Sequence, residues 1–301
     1  MPRPEPVIVL GAGAIGSVYA VKLSERHPVT VVGRRAHVDA IRAEGLRLIG
    51  LETRAARVEA VTTIETIAPD TLILLTTKVN ASEDALRPLA DLVRDDTVIV
   101  CVQNGLDSEG IARRAIRDRC LVLRAITQFG AIFQAPGLIN FTSSGYTLLE
   151  DGPRTAAIAA LLTACGLDGR ISPDIKTEIW RKLIYNCVIN PITAIVGSEV
   201  GGIADPKLDP WKQLVVDECL RVAAADGVTF DIDFVPTIAE VFGSARTIAS
   251  MRQDLLKGKQ TEIDHMNGAV VALGRRFGIE CPVNAALVAT IKAMEARGMA
   301  Q

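Results

Sequence analysis

The chain has 301 residues, 49% of them hydrophobic and 23% charged, enough apolar surface for substantial cores and length enough for two ordinary domains. Lys and Arg total 33 against 35 Asp and Glu, a balance that excludes the strong basic surface of a nucleic-acid or membrane-surface binder. The six cysteines are scattered, without a C-x-x-C pair or a histidine at ligand spacing. They read as small buried hydrophobes in a reducing compartment, and no metal site is expected.

Arg3 and the mostly apolar run 6–21 superficially resemble a signal peptide. The spaced glycines account for that run better, so the expectation is a cytoplasmic protein. No apolar run reaches the roughly eighteen residues of a membrane span.

In chain order, Val7-Ile-Val-Leu10 has the look of a buried parallel strand, and Ser17–Glu25 carries a helical pattern. Between them lies Gly11-Ala12-Gly13-Ala14-Ile15-Gly16, the G-x-G-x-x-G of a dinucleotide-binding turn. Gly11 permits the tight turn, Gly13 lets a pyrophosphate approach the backbone, and Gly16 allows helix and strand to pack closely. The helix N-terminus then offers its free N–H groups to phosphate.

The next strand, Val29–Val32, ends in Gly33-Arg34-Arg35. An NAD-binding unit places an Asp or Glu near here for the ribose 2′-hydroxyl. Glycine followed by two arginines favours a 2′-phosphate instead, with Arg34 its expected contact, and so NADPH/NADP+ as cofactor. A solvated loop is the bland alternative.

A strand over 71–75 ends at Thr76-Thr77-Lys78, and a helix carrying Leu86, Leu89 and Leu92 follows. A further strand over 97–102 ends at Gln103-Asn104-Gly105. Ligands of open parallel sheets sit beyond the carboxyl ends of strands, so Lys78 and Asn104 are candidates to face the nicotinamide half. Asn-Gly is equally a common turn pair. Short strands with turn punctuation fill 121–150, expected to extend the sheet in antiparallel fashion. A helix around Thr155–Cys165 and a strand near 170–172 close this half.

From about Asp174 helical periodicity takes over, with helices expected over 174–190, 193–198, 207–226, 235–247, 250–257, 261–277 and 284–296. The expected architecture is an α/β Rossmann-type dinucleotide-binding domain, 1–173, followed by an all-α substrate domain, 174–301. Such a pair commonly traps substrate in the cleft between.

The segment Trp180–Pro191 organises the second half. Positions four apart stack on one helical face, so Lys182, Asn186 and Asn190 form a polar stripe on a helix apolar nearly all round. Burying such groups unpaired costs roughly 2–7 kcal/mol each, so the stripe is expected to face a polar ligand. Pro191 lacks an N–H for the carbonyl of Cys187, which predicts a kink or break after the stripe. Asn190 serves either substrate or that broken backbone. Ser250 begins a short helix. Glu262 is expected in the first turn of the helix over 261–277, where the dipole stabilises a carboxylate; His265 follows one turn later.

With these residues assembled, the chain resembles the ketopantoate reductase (2-dehydropantoate 2-reductase) family over nearly its full length. The resemblance rests on Gly11–Gly16, Thr77-Lys78, Gln103-Asn104-Gly105, the long segment 178–194, Ser250-Met-Arg-Gln-Asp254 and Thr261–Gly268. It implies an oxidoreductase acting on CH–OH that reduces ketopantoate to pantoate with NADPH, a step toward coenzyme A. It further implies Lys182 as general acid, Glu262 supporting it, and Asn104, Asn186 and Ser250 on substrate or nicotinamide. Arg34 and Lys78 match cofactor contacts. Members of the family carry a further substrate-binding asparagine where this chain has Val200, which bears on the choice of 2-oxo acid.

A lysine ammonium can both stabilise the developing alkoxide and supply its proton. The rivals are a reductase of another branched 2-oxo acid and a non-catalytic NADP(H)-sensing regulatory protein. A homodimer is the default assembly.

Overall fold

The apolar run Val7–Leu10 forms strand β1, buried on both faces at the centre of a mostly parallel sheet. The computed structural model describes residues 5–298. Arg3 of the leader-like run lies outside them, whereas the rest of that run folds as β1, the glycine-rich turn and helix α1 (Ala14–Leu23). The chain divides into two compact units, Met1–Ile175 and Lys176–Gln301.

In the first unit β2 (Val29–Val32), α2 (Arg35–Glu44), β3 (Leu46–Gly50), β4 (Arg54–Ala56), β5 (Glu59–Val61) and β6 (Leu72–Leu75) follow in turn. Then come α3 (Ser82–Leu86), β7 (Val98–Cys101), α4 (Ser108–Ile116), β8 (Leu121–Thr127), β9 (Gly130–Ala135) and β10 (Leu138–Ser143). β11 (Thr147–Glu150), α5 (Thr155–Ala164) and β12 (Gly169–Ser172) complete it. Among the described residues the main sheet runs β12-β11-β8-β7-β6-β1-β2-β5 and a second sheet runs β4-β3-β10-β9.

Side chains alternate across the main sheet as its pleat requires. Val7, Val9, Leu72, Leu74, Val98 and Val100 enter the core shared with α1, α5 and the second sheet. Ile8, Leu10, Ile73, Leu75, Ile99 and Cys101 face α3 and α4 on the other side. Helix α1 is buried from Gly16 to Leu23 because both sheets cover it. Tyr19 fixes its position: the hydroxyl is bonded to Thr127 (2.7 Å) and Thr147 (2.8 Å), and burial pushes its pKa up to about 12.

Two expectations for this unit are corrected. β8 pairs parallel to β7; β11 pairs antiparallel to β8, with β12 parallel to β11; and β10 leaves the main sheet to pair with β3, β9 pairing in turn with β10. Alternation marks a strand but not its partner, which long-range packing selects. The helix expected to carry Leu86, Leu89 and Leu92 is only α3 and a 3-10 turn, Arg87–Leu89. Pro88 has no N–H to continue the ladder.

The second unit is helical: α6 (Ile175–Val196), α7 (Asp209–Ala225), α8 (Phe234–Phe242), α9 (Ser250–Leu256), α10 (Asn267–Phe277) and α11 (Pro282–Gly298). The expected break at Pro191 is absent, and the two helices expected over 174–198 are one. The Cys187 carbonyl that Pro191 leaves without an amide accepts from Asn267 Nδ2 at 2.9 Å. The helix expected over 235–247 stops at Phe242, and that expected from 261 begins only at Asn267, after a 3-10 turn over Ile263–His265. Met266, with φ −109° and ψ −99°, interrupts helical geometry there. No described helix is long and apolar enough to cross a membrane.

Candidate active site

Because β1, β2, β6 and β7 run parallel, their carboxyl ends bring four motifs to one edge of the sheet. The Gly11 and Ala12 amides donate to the Val32 carbonyl (3.1 and 2.8 Å), seating the glycine turn against the end of β2. Gly11 has φ +114°, and a Cβ there would lie 2.5 Å from the Thr77 nitrogen. At Gly16 it would lie 2.2 Å from the Gly11 carbonyl oxygen and 2.5 Å from Thr76 Oγ1. Gly13 differs: it is exposed, and a Cβ would meet nothing within 4 Å. The first-turn N–H groups of Ala14, Ile15 and Gly16 have no intrahelical acceptor, and α1 has neither a side-chain cap nor a first-turn acid. Open space above unopposed N–H groups suits a pyrophosphate.

Arg34 is exposed between β2 and α2, and its guanidinium has no ion pair or hydrogen bond among the described residues. Arg35 instead pairs with Asp39 at 3.2 Å. A Cβ on Gly33 would stand 3.0 Å from that of Ala12, so the arginine turn directly abuts the glycine turn. The turn at the end of β2 thus carries two arginines and no carboxylate beside the glycine turn.

Lys78 and Asn104 are both half-buried, three residues beyond β6 and β7 respectively. Their turns are tied together by groups that sequence reading missed. Gln103 Nε2 donates to Ser82 Oγ (2.7 Å), which is bonded to Thr77 Oγ1 (3.2 Å) and donates to the Lys78 carbonyl (3.2 Å). Arg124, buried on β8, donates to the carbonyls of Cys101 and Gly105. The signal for Arg124 was an arginine inside the apolar strand Leu121–Thr127, a position that demands partners.

In the helical unit, Lys182 and Asn186 are half-buried and Asn190 is 5% exposed. Asn190 Nδ2 donates to Asn186 Oδ1 (3.2 Å), and Ser250 Oγ donates to Asn190 Oδ1 (3.3 Å). Asn190 therefore joins the polar row, and repair of the helix at Pro191 falls to Asn267. Glu262 is half-buried but lies outside any α-helix, so the expected dipole stabilisation does not apply. Its segment is held instead by buried Glu295, whose Oε1 accepts the Thr261 amide at 2.7 Å. His265 ends the 3-10 turn, half-buried. Val200 is buried; its amide donates to the Thr247 carbonyl (2.8 Å) and so fixes the loop that leads into Ser250. No group of three or more His, Cys, Asp or Glu among the described residues could hold a metal ion.

A doubly wound sheet with this glycine turn, followed by a helical unit carrying a row of lysine and amide groups, defines a dinucleotide-binding oxidoreductase architecture. Residues 7–154 match the family model "Ketopantoate reductase PanE/ApbA" and residues 174–295 its C-terminal counterpart. The chain belongs to the ketopantoate reductase family. It is 33% identical to the 2-dehydropantoate 2-reductase of Pyrococcus horikoshii, over 97% of this chain and 98% of that one. Among solved structures it is similar to a PanE/ApbA family ketopantoate reductase from Ralstonia eutropha: 29% identity, TM-score 0.91, 97% and 99% coverage. It is also similar to D-mandelate dehydrogenase in a ternary structure with NADH and anilino(oxo)acetate: 26% identity, TM-score 0.89, 97% and 99% coverage. Family and neighbours together support an oxidoreductase that uses a nicotinamide dinucleotide and a small-molecule substrate.

Proposed function

We propose that this chain reduces ketopantoate to pantoate with NADPH, on the route to coenzyme A. The observation that carries the reading is the bonded row Asn186–Asn190–Ser250 in helical register with Lys182. A 2-oxo acid offers a carboxylate and a carbonyl oxygen, and the row offers one cation and several neutral polar groups.

When bound, the nicotinamide supplies the hydride for the carbonyl carbon. Lys182 Nζ stabilises the charge that grows on the carbonyl oxygen and gives it a proton, leaving the alcohol and a neutral amine to be reprotonated from water. Asn186, Asn190 and Ser250 orient the substrate, and Glu262 supports the lysine. Asn104 contacts substrate or nicotinamide, and Lys78 holds the cofactor from the end of β6. Gly11, Ala12, Gly13, Ala14, Ile15 and Gly16 carry the pyrophosphate, and Arg34 grips the 2′-phosphate.

A second reading, reduction of a different branched 2-oxo acid, is favoured by one feature. Val200 is apolar where the family pattern has an asparagine, which widens the substrate question. Steady-state kinetics with NADPH and NADH, run side by side on ketopantoate and other branched or aryl 2-oxo acids, separates the two. The highest kcat/KM for ketopantoate with NADPH supports the first reading, and preference for another acid supports the second. No oxo-acid-dependent oxidation at all would leave a non-catalytic NADP(H) sensor.

A further inference from the structure

Arg124 is 2% exposed, one of the largest fully buried side chains of the molecule, on a strand otherwise apolar at its centre. Its guanidinium reaches both ends of the turn that follows β7. Nη1 donates to the Cys101 carbonyl (3.1 Å) and Nη2 to the Gly105 carbonyl (2.8 Å), while Nε faces Glu109 Oε2 of α4 at 3.4 Å. The two accepting carbonyls bracket residues 102–104, and Gly105 closes the turn at φ +91°. A planar fork spans two divergent acceptors as no other side chain can. Burying a guanidinium to hold one short turn is costly, and Asn104 is the half-buried polar residue which that turn displays.

We infer that Arg124 is a positioning residue for the reaction: it clamps the base of the 101–105 turn and thereby sets where Asn104 meets the substrate carbonyl or nicotinamide. The inference rests on the placing of Asn104 in the proposed site. Arg124→Lys keeps the charge but cannot bridge both carbonyls, so the turn loosens while the charge in the core is retained.

The test is a double-mutant cycle of Arg124→Lys and Asn104→Ala, read as kcat and KM for the 2-oxo acid, NADPH affinity by fluorescence titration, and Tm. The expected result is a fall in kcat of about 100-fold in Arg124→Lys, the scale of an ångström of misplacement, with NADPH affinity retained. In the Asn104→Ala background the lysine substitution then costs nothing further. Wild-type kcat in Arg124→Lys, or losses that multiply in the double variant, overturns the positioning role and leaves the proposed site intact. Wild-type kinetics in Asn104→Ala alone overturns the site reading and the inference with it. Should Arg124→Lys not fold, Glu109→Gln takes its place in the cycle: it frees one side of the guanidinium, and its smaller loss of kcat must likewise vanish when Asn104 is absent.

Discussion

Asn267 Nδ2 donates to the carbonyl of Cys187 at 2.9 Å, filling the place that the missing amide of Pro191 leaves in α6. The same amide nitrogen donates to Asn284 Oδ1 (2.9 Å), and Asn284 Nδ2 donates to Glu218 (2.7 Å). A buried network thus runs from α7 through α11 and α10 to the helix that carries Lys182. Asn267→Ala strips the donor from two buried acceptors, each worth about 1–3 kcal/mol. A combined loss of about 2–6 kcal/mol is expected in urea denaturation. Adding Pro191→Ala restores an amide for Cys187, so the double variant should recover part of that loss; no recovery would mean the carbonyl is not what Asn267 serves.

The two crowded glycines and the open one in the dinucleotide turn predict opposite outcomes. Gly16→Ala forces a methyl to 2.2 Å from the Gly11 oxygen and should destabilise the ligand-free protein by about 1–3 kcal/mol. Gly13→Ala meets no atom and should leave Tm unchanged while weakening the dinucleotide at least about tenfold, ~1.4 kcal/mol. Equal Tm losses in both variants would contradict the open site above Gly13.

Lys182→Ala should lower turnover by about 10²–10⁴-fold, the usual worth of a general acid. NADPH binding, followed by fluorescence, should survive. Near-normal turnover removes Lys182 from its proposed role.

Arg34→Ala should weaken NADPH about ten- to a hundredfold, the worth of a hydrogen bond to a charged group. NADH, which lacks the 2′-phosphate, should be nearly unaffected, while Arg35→Ala, which removes only a surface pair with Asp39, should change neither. Parallel losses for both cofactors in Arg34→Ala would show that this residue does not read the phosphate.

His37 gives the fold an acid limit. It is 4% exposed, its Nδ1 accepts the Gly137 amide at 2.9 Å, and burial lowers its pKa below the ordinary value. The unfolded chain therefore binds the extra proton more readily than the folded one. Its contribution is complete above about pH 6.5, the unfolded value, and is lost as pH falls through the lowered folded value. Tm should drop between pH 7 and pH 5, and His37→Gln should flatten that part of the profile. An unchanged slope would assign the drop to other groups.

Local chemistry sufficed for much of this protein. The apolar runs around Val7, Leu72 and Val98, each leading to glycine or polar turn residues, announce parallel strands because a strand buried on both faces must be apolar throughout. The G-x-G-x-x-G turn and the four-residue spacing of Lys182, Asn186 and Asn190, close to one helical turn, are likewise local facts. What lay beyond the sequence were the partners of each group. The pairing of β10 with β3, the continuity of α6 through Pro191 and the Arg124 clamp all depend on residues distant in the chain. Cys187 and Asn267 are eighty positions apart, and only folding brings the donor that a proline withholds. Propensity specifies which groups must be satisfied; tertiary packing decides by whom.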